Sequence, residues 1–332
     1  TETSLTIYCC NPRGMSALTN NLIWKRVILT TALYGCETWG QLPYREAEML
    51  EITQRYFVRF ILMMDKRSPT DSCISNVGLW SVEGYTDKMK LLFFGRLCRA
   101  KSTTIHKRMF NFRMGQILTG EASQISLTYD YIKILIKYDF DSFVENFVAE
   151  IFFPDKLLWS KIVKQTLDIY EENKWKHSVE RRPELKRYHK IHTCLTEHRL
   201  LRLAVTYPSL NSKFMTLVKL GAIAIQTGKC SLCNLYNTDI LMHYILCCTS
   251  LLQIRTEMFY KIVDILDVED SVRFFNQDDD EIIESLLGSM NHTMQTINAD
   301  VWSLLMCHIA DYMYKLYQVF NYDLYSHIFD LN

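Results

Sequence analysis

The sequence predicts a mainly α-helical protein carrying one small Cys/His element, and three observations predict it. Apolar residues recur at helical spacing through most of the 332 residues. Only 11 Gly and 6 Pro are present, too few for many tight turns. Near the C-terminal third, Cys230 and Cys233 are followed by His243 and by Cys247 and Cys248 within "KCSLCNLYNTDILMHYILCC", a run with the spacing of metal ligands.

The elements follow in order. Leu22, Ile23, Val27 and Leu33 place a helix over 15–34, with Gly35 as its stop. Pro43 opens a second helix, in which Leu50, Phe57, Phe60 and Ile61 share a face through about 64. "DKRSPTDSC" is a loop, and Asp71 is a candidate cap for a short helix over 71–77, ended by Gly78. Helices are expected at 82–101 and 104–116, and a connector at 118–128. Further helices fall at 129–138, 141–151 and 155–176, then a basic stretch over 177–193 broken by Pro183. Helices resume at 196–206 and 211–219. "QTGKC" turns into the Cys/His element, which opens as a small hairpin and continues as a helix from Asp239. Helices at 251–267, 279–287 and 293–320 complete the chain.

Length suggests two or three domains, and 48% hydrophobic with 22% charged residues is ordinary globular composition. The 11 Cys form no secreted disulfide framework and no signal peptide is evident. This points to a reducing compartment, intracellular and either cytoplasmic or nuclear, with most thiols serving as small core residues. Charged residues interrupt every apolar run, so no membrane association is expected. The chain begins with Thr1, which suggests a fragment of a longer reading frame.

Formal net charge is zero, but the charges are segregated. Residues 1–120 hold 16 Lys/Arg against 9 Asp/Glu, and 174–229 hold 12 against 3. Residues 230–332 hold 4 against 15. The two basic blocks are candidate polyanion surfaces.

In the Cys/His element, three thiolates and one imidazole close a tetrahedron, leaving no position for water; such a site is structural rather than catalytic. Zinc would contribute on the order of 10 kcal/mol of apparent binding energy to a segment that lacks a core of its own. The fourth ligand is open. On a regular helix Cys247, four residues after His243, shares its face, whereas Cys248 diverges by about 140° and requires the helix to loosen.

The stretch 88–120 carries Lys90, Arg96, Arg99, Lys107 and Arg108 among its basic residues and no acid, with Phe93, Phe94, Phe110 and Phe112 between them. The basic groups suit phosphates. The Phe residues fit the core side of an amphipathic helix better than a base-stacking role. In 174–202, His189, His192, Cys194 and His198 match no common zinc spacing, and a solvated basic linker is the expectation. Asp278, Asp279 and Asp280 lack the arrangement of a two-metal polymerase site and read as a cap or loop. Pro154–Asp155 is a helix start rather than a nuclease motif. No Ser/His/Asp cluster, P-loop or G-x-G-x-x-G is present.

"TTALYGCETWG" at 30–40 resembles the start of the thumb in reverse transcriptases of non-LTR, LINE-type retrotransposons. Residues 55–97 are similar to the stretch that follows in that family: an aromatic/Arg helix, a Thr-containing loop, a Gly-Leu turn and a basic helix. Trp159 and Trp175 fall where similar proteins have spaced tryptophans. Cys230, Cys233, His243 and Cys248 resemble the family's C-terminal CCHC knuckle, in which His-x4-Cys favours Cys248. The polymerase palm and the endonuclease have no counterpart in these residues, so no catalytic residue carries over.

The resemblance implies a thumb-like helical domain over 1–117, a helical linker with a basic segment over 118–225, a zinc knuckle over 226–268 and a helical tail over 269–332. It implies a non-catalytic chain that binds RNA and/or DNA through Lys90, Arg96, Arg99, Lys107 and Arg108 and carries structural Zn2+, with no small-molecule substrate. Two alternatives stand beside it: a zinc-containing protein-interaction module, and part of an active RNA-directed DNA polymerase.

Overall fold

The computed structural model describes residues 15–40, 43–66, 68–120, 126–149 and 153–329, with the side chains of 320–329 left aside. It is mainly helical, as the periodicity predicts. In chain order the helices are α1 (Ala17–Ile23), α2 (Leu29–Ala32), α3 (Tyr44–Ile61), α4 (Thr70–Asn76), α5 (Val82–Arg99) and α6 (Ile105–Leu118). Then come α7 (Leu127–Lys137), α8 (Asp141–Val148), α9 (Lys156–Glu180), α10 (Lys186–Ile191), α11 (Arg199–Thr206) and α12 (Asn211–Gly221). A two-stranded hairpin, β1 (Gly228–Lys229) and β2 (Tyr236–Asn237), precedes α13 (Ile240–Met242). The chain continues with α14 (Leu252–Ile265), α15 (Val268–Phe275), α16 (Asp279–Leu286), α17 (His292–Thr296) and α18 (Ala299–Phe329).

Side-chain caps start many of these helices, because a Ser, Asp or Asn oxygen satisfies an amide that has no intrahelical partner. Ser81 accepts from Gly84 N–H, Ser126 from Tyr129, Asp267 from Asp270 and Asn291 from Met294. Asp278 accepts from Glu281, so the acidic run is a cap. Asp155 Oδ1 accepts from the amides of Leu157 and Leu158 at 2.8 and 2.9 Å, the helix start read from Pro154–Asp155.

Some elements differ from expectation. Residues 24–28 wind as a π-helix between α1 and α2, inside what the spacing reads as one helix. Asp71 does not cap α4; it sits in the first turn and pairs with Arg182 at 3.3 Å. The broken basic stretch is more ordered than expected: α9 runs on to Glu180, and a 3-10 turn at Pro183–Leu185 leads directly into α10. Helix α15 has no counterpart in the sequence reading, and the expected helix over 293–320 is two, α17 and α18. Positions 150–151 of the helix expected at 141–151 lie outside the described residues.

The contacts divide the chain into two units that alternate along it. The first comprises Trp24–Gln54 and Trp80–Lys174. Its core is aromatic: fully buried Trp159 has Phe140, Phe143 and Phe153 at 5.1–5.3 Å between ring centroids, and Phe94 at 6.5 Å. The indole N–H of Trp159 donates to Leu91 O at 2.9 Å. Buried Glu171 of α9 accepts from both the amide and the hydroxyl of Ser81, each at 2.9 Å, and so fixes the cap of α5.

The second unit comprises Thr1–Ile23, Arg55–Leu79 and Trp175–Asn332. Here Trp175, Val179, Leu185, Tyr188 and Ala222 form a buried cluster. Tyr188 donates to Asn76 Oδ1 at 2.9 Å and lies 2.6 Å from Ser75 Oγ, tying α10 to α4. The long helix α18 packs on α12 and α14, and the hairpin and α13 follow α12 in the same unit.

Candidate metal centre

The hairpin positions the first two ligands. Cys230 N–H donates to Leu235 O, and Asn234 N–H to Cys230 O, both at 2.8 Å, closing a tight turn. Asn234 occupies the left-handed region at φ 62°, which Asn tolerates better than most side chains. Burial pushes the Cys230 thiol up, but the amides of Cys233 and Leu232 hold it below the ordinary thiol value. These amide donors favour the thiolate, the form that ligates a metal.

Helix α13 and its continuation supply the other two. Asp239 caps α13 by accepting from Met242 N–H at 3.1 Å, and its carboxylate pairs with buried Arg187 of α10. Ile240 N–H donates to Gln226 O at 3.0 Å, fixing the helix start to the strand entry. His243–Cys247 then winds as a π-helix. Cys248 N–H donates to His243 O at 2.7 Å, a bond spanning five residues instead of four. The wider turn brings Cys248 back to the side of His243. Cys248 is fully buried in the cluster, and Cys247 is exposed. Regular helical geometry favoured Cys247; the π-turn reverses that preference. Burial raises the Cys248 thiol, and burial followed by the charge of Arg255 lowers the His243 imidazole, which favours its neutral, ligating form.

The ligand atoms of Cys230, Cys233, His243 and Cys248 all lie within 4.8 Å of one another. A tetrahedral centre with metal–sulfur bonds of about 2.3 Å has sulfur–sulfur edges of about 3.8 Å. Cys230 and Cys248 are 3.9 Å apart. Cys233 Sγ and His243 Nε2 are closer, at 3.1 Å, and must spread by about 0.5 Å to match the corresponding edge. The group can hold a metal ion. Among the described residues no other set of His, Cys or carboxylate ligand atoms converges in this way.

Two outer contacts brace the cluster. Buried Arg255 donates to Cys248 O at 3.1 Å, and Ser250 Oγ to Leu232 O at 3.2 Å. Arg187, Asp239 and Arg255 are absent from the sequence-level site, because nothing in their spacing announces a supporting role.

The five expected phosphate contacts separate into distinct environments. Arg96 and Arg108 are exposed. Arg99 is half-buried, donating to Pro154 O at 3.1 Å and lying over the Phe153 ring. Lys107 is buried: its ammonium donates to Cys98 O at 2.9 Å and stands 4.3 Å from the Phe147 centroid. Burial lowers its pKa. Lys107 is therefore occupied internally rather than at a phosphate surface. Lys90 is also buried, against a cavity. Phe94 and Phe110 are core residues, as their helical spacing suggests, but Phe112 is exposed.

In the second basic block, Lys190 pairs with Glu284 at 2.9 Å and Arg182 with Asp71, while Arg181, Lys186 and Arg199 are exposed. His192 and His198 lie 5.0 Å apart, ring to ring, but each has a structural bond: His192 Nε2 with Ser75 O, and His198 Nδ1 from Leu200 N–H. No helix among the described residues is long and apolar enough to cross a membrane. Comparison with protein-family models, with curated proteins and with solved structures finds no match for this chain.

Proposed function

We propose that the cluster is a structural zinc site of CCHC type and that the hairpin it secures contacts single-stranded RNA or DNA. Three sulfurs and one imidazole nitrogen are the soft and borderline donors that suit Zn2+, and four protein ligands complete its preferred coordination. The ligands work in their deprotonated forms, as the reducing interior of a cell, cytoplasmic or nuclear, permits.

The observation that carries the nucleic-acid reading is the pairing of Lys229 with Tyr236. They stand opposite each other on the antiparallel strands, and both are exposed, Tyr236 by 71%. Directly opposed residues project from the same face of a hairpin. A cation beside an exposed ring is the pairing that single strands use, phosphate on one and base on the other. Arg96 and Arg108 offer further exposed charge in the first unit. The reading agrees with the resemblance to the tail of a LINE-type reverse transcriptase, in which this chain would hold template or target without catalysing. A palm with its Asp pair, found upstream in the same reading frame, would make the parent protein an RNA-directed DNA polymerase.

The test is binding of the full chain to labelled single-stranded RNA and DNA across a salt series. Affinity should fall with a slope of about −0.7 per phosphate contact. Tyr236→Ala should cost about 1–3 kcal/mol. Salt-independent or absent binding refutes the reading.

A second reading has its own observation. Val268, Val272 and Phe275 are exposed by 83, 55 and 38% and lie one turn apart along α15. An apolar stripe at that spacing suits a partner helix. A co-purifying protein displaced by Val272→Asp would favour an interaction module.

A further inference from the structure

We propose that the cavity lined by α3, α5 and α7 in the first unit binds a small zwitterion, a free amino acid with a large apolar or aromatic side chain. The cavity has a volume of about 570 Å³, within the range of small-molecule sites. Trp39, Tyr44, Leu50, Val82 and Ile134 give it apolar walls, and Tyr44 is 82% exposed, so the cavity reaches solvent.

Two charged residues carry the inference. Lys90 of α5 and Asp130 of α7 are 6% and 9% exposed, and both line the cavity. Among the described residues neither side chain has a hydrogen bond or an ion pair, with each other or with any neighbour. The other charges of the cavity wall behave differently. Lys137 pairs with Glu83 at 2.6 Å and with Asp87 at 2.8 Å, and Lys133 stands over the Tyr129 ring at 4.7 Å. Neither charged end is sealed from solvent, so both open into the cavity, where a ligand of opposite charge can take the place of water.

The chemistry of the wall selects the ligand. Glu48, Glu51, Glu83, Asp87 and Asp130 outnumber Lys90, Lys133 and Lys137. The resulting negative field disfavours a phosphate or another multiply charged anion. A molecule that is neutral overall, with one carboxylate for Lys90 and one ammonium for Asp130, satisfies both groups without adding net charge. Its side chain would lie against the apolar walls beside Trp39. The assignment is independent of the metal centre, whose ligands belong to the other unit.

The test is calorimetric titration of the full chain with L-phenylalanine and L-tryptophan, against N-acetyl-tryptophanamide, which lacks both charges, and against inorganic phosphate. Saturable binding is expected from at least one of the two amino acids and from neither control. Lys90→Met and Asp130→Asn should each weaken it about ten- to hundredfold, the value of a charge-assisted hydrogen bond. Absence of saturation by both amino acids, equal binding by Lys90→Met, or equal binding of the uncharged control or phosphate overturns the proposal. Thermal unfolding of Lys90→Met without ligand gives a second reading. Removing a charge that has no protein partner should leave the midpoint unchanged or raise it. A clear fall would mark Lys90 as a structural residue and overturn the proposal equally.

Discussion

The backbone N–H of Cys248 donates to the carbonyl of His243 across 2.7 Å, and this one bond decides which of two adjacent cysteines joins the candidate metal cluster. A bond spanning four residues would have carried Cys248 away from His243 and left Cys247 beside it. With the wider turn, Cys248 is buried in the cluster and Cys247 faces out. Cys248→Ser should therefore abolish metal binding, while Cys247→Ser should keep about one zinc per chain, since zinc closes a four-ligand site. Metal content of the purified variants, by mass spectrometry of the ion, checks both halves. Retention of zinc by Cys248→Ser with its loss in Cys247→Ser would reverse the ligand assignment.

Gly95 and Trp159 make a second close relationship. A Cβ at Gly95 would lie 2.4 Å from the Trp159 ring, which is fully buried and held by its bond to Leu91 O. The ring cannot withdraw, because Phe140, Phe143 and Phe153 surround it. Gly95→Ala should destabilise the first unit by about 1–3 kcal/mol through overpacking. Trp159→Ala should cost about 3–5 kcal/mol. Urea unfolding followed by near-ultraviolet circular dichroism measures both. A Gly95→Ala variant as stable as the parent would mean the ring has room to move.

Much of this architecture is legible in the sequence because it is local. Helical periodicity locates α3, α5 and α9 closely, and the C-x2-C spacing announces the Cys/His cluster without any knowledge of the fold. What is not legible depends on partners distant in the chain. Lys90 and Lys107 read as phosphate contacts because a basic run looks exposed until its neighbours are known. Lys107 in fact sits on Cys98 O beneath Phe147, forty residues downstream. The basic stretch 177–193 reads as a linker because cations without a visible partner are placed in water. Arg187, Lys190 and Arg182 instead find Asp239, Glu284 and Asp71. Periodicity alone does not bring Cys248 into the cluster, because a π-turn has no signature in apolar spacing.

The Arg187–Asp239 pair yields a third prediction. Arg187 is 5% exposed in its side chain and Asp239 13%, and the same carboxylate caps the helix that carries His243. Removing Arg187 leaves the part-buried Asp239 carboxylate with only the Met242 amide, at a cost of about 3 kcal/mol, the low end for a buried pair. Arg187→Ala should therefore lower stability by that amount and also weaken zinc retention, because the His243 helix loses the anchor of its first turn. Competition with a chromophoric chelator checks the second effect. Normal zinc affinity in a destabilised Arg187→Ala would confine the pair to the core and separate it from the metal site.

His192 and His198 should make the fold acid-sensitive independently of the Cys/His cluster. Burial depresses both imidazoles below their ordinary value, His198 strongly, with the neighbouring His192 and Arg199 adding to the effect. Both are therefore neutral in the folded state near pH 7, while in the unfolded chain each titrates near 6.5. As pH falls through about 6.5 the unfolded state binds more protons than the folded one, so stability falls; well above that value the histidines contribute little slope. The slope is at most about 1.4 kcal/mol per pH unit for each histidine. His198 accepts the Leu200 amide as the cap of α11, and Asn can take over that role without titrating. His198→Asn should match the parent in capping while losing part of the difference in stability between pH 7.5 and 5.5. Urea unfolding of both proteins at the two pH values, in excess zinc so that protonation of His243 affects both alike, gives the comparison. Identical pH dependence in parent and variant would mean that His198 takes up its proton without unfolding the second unit.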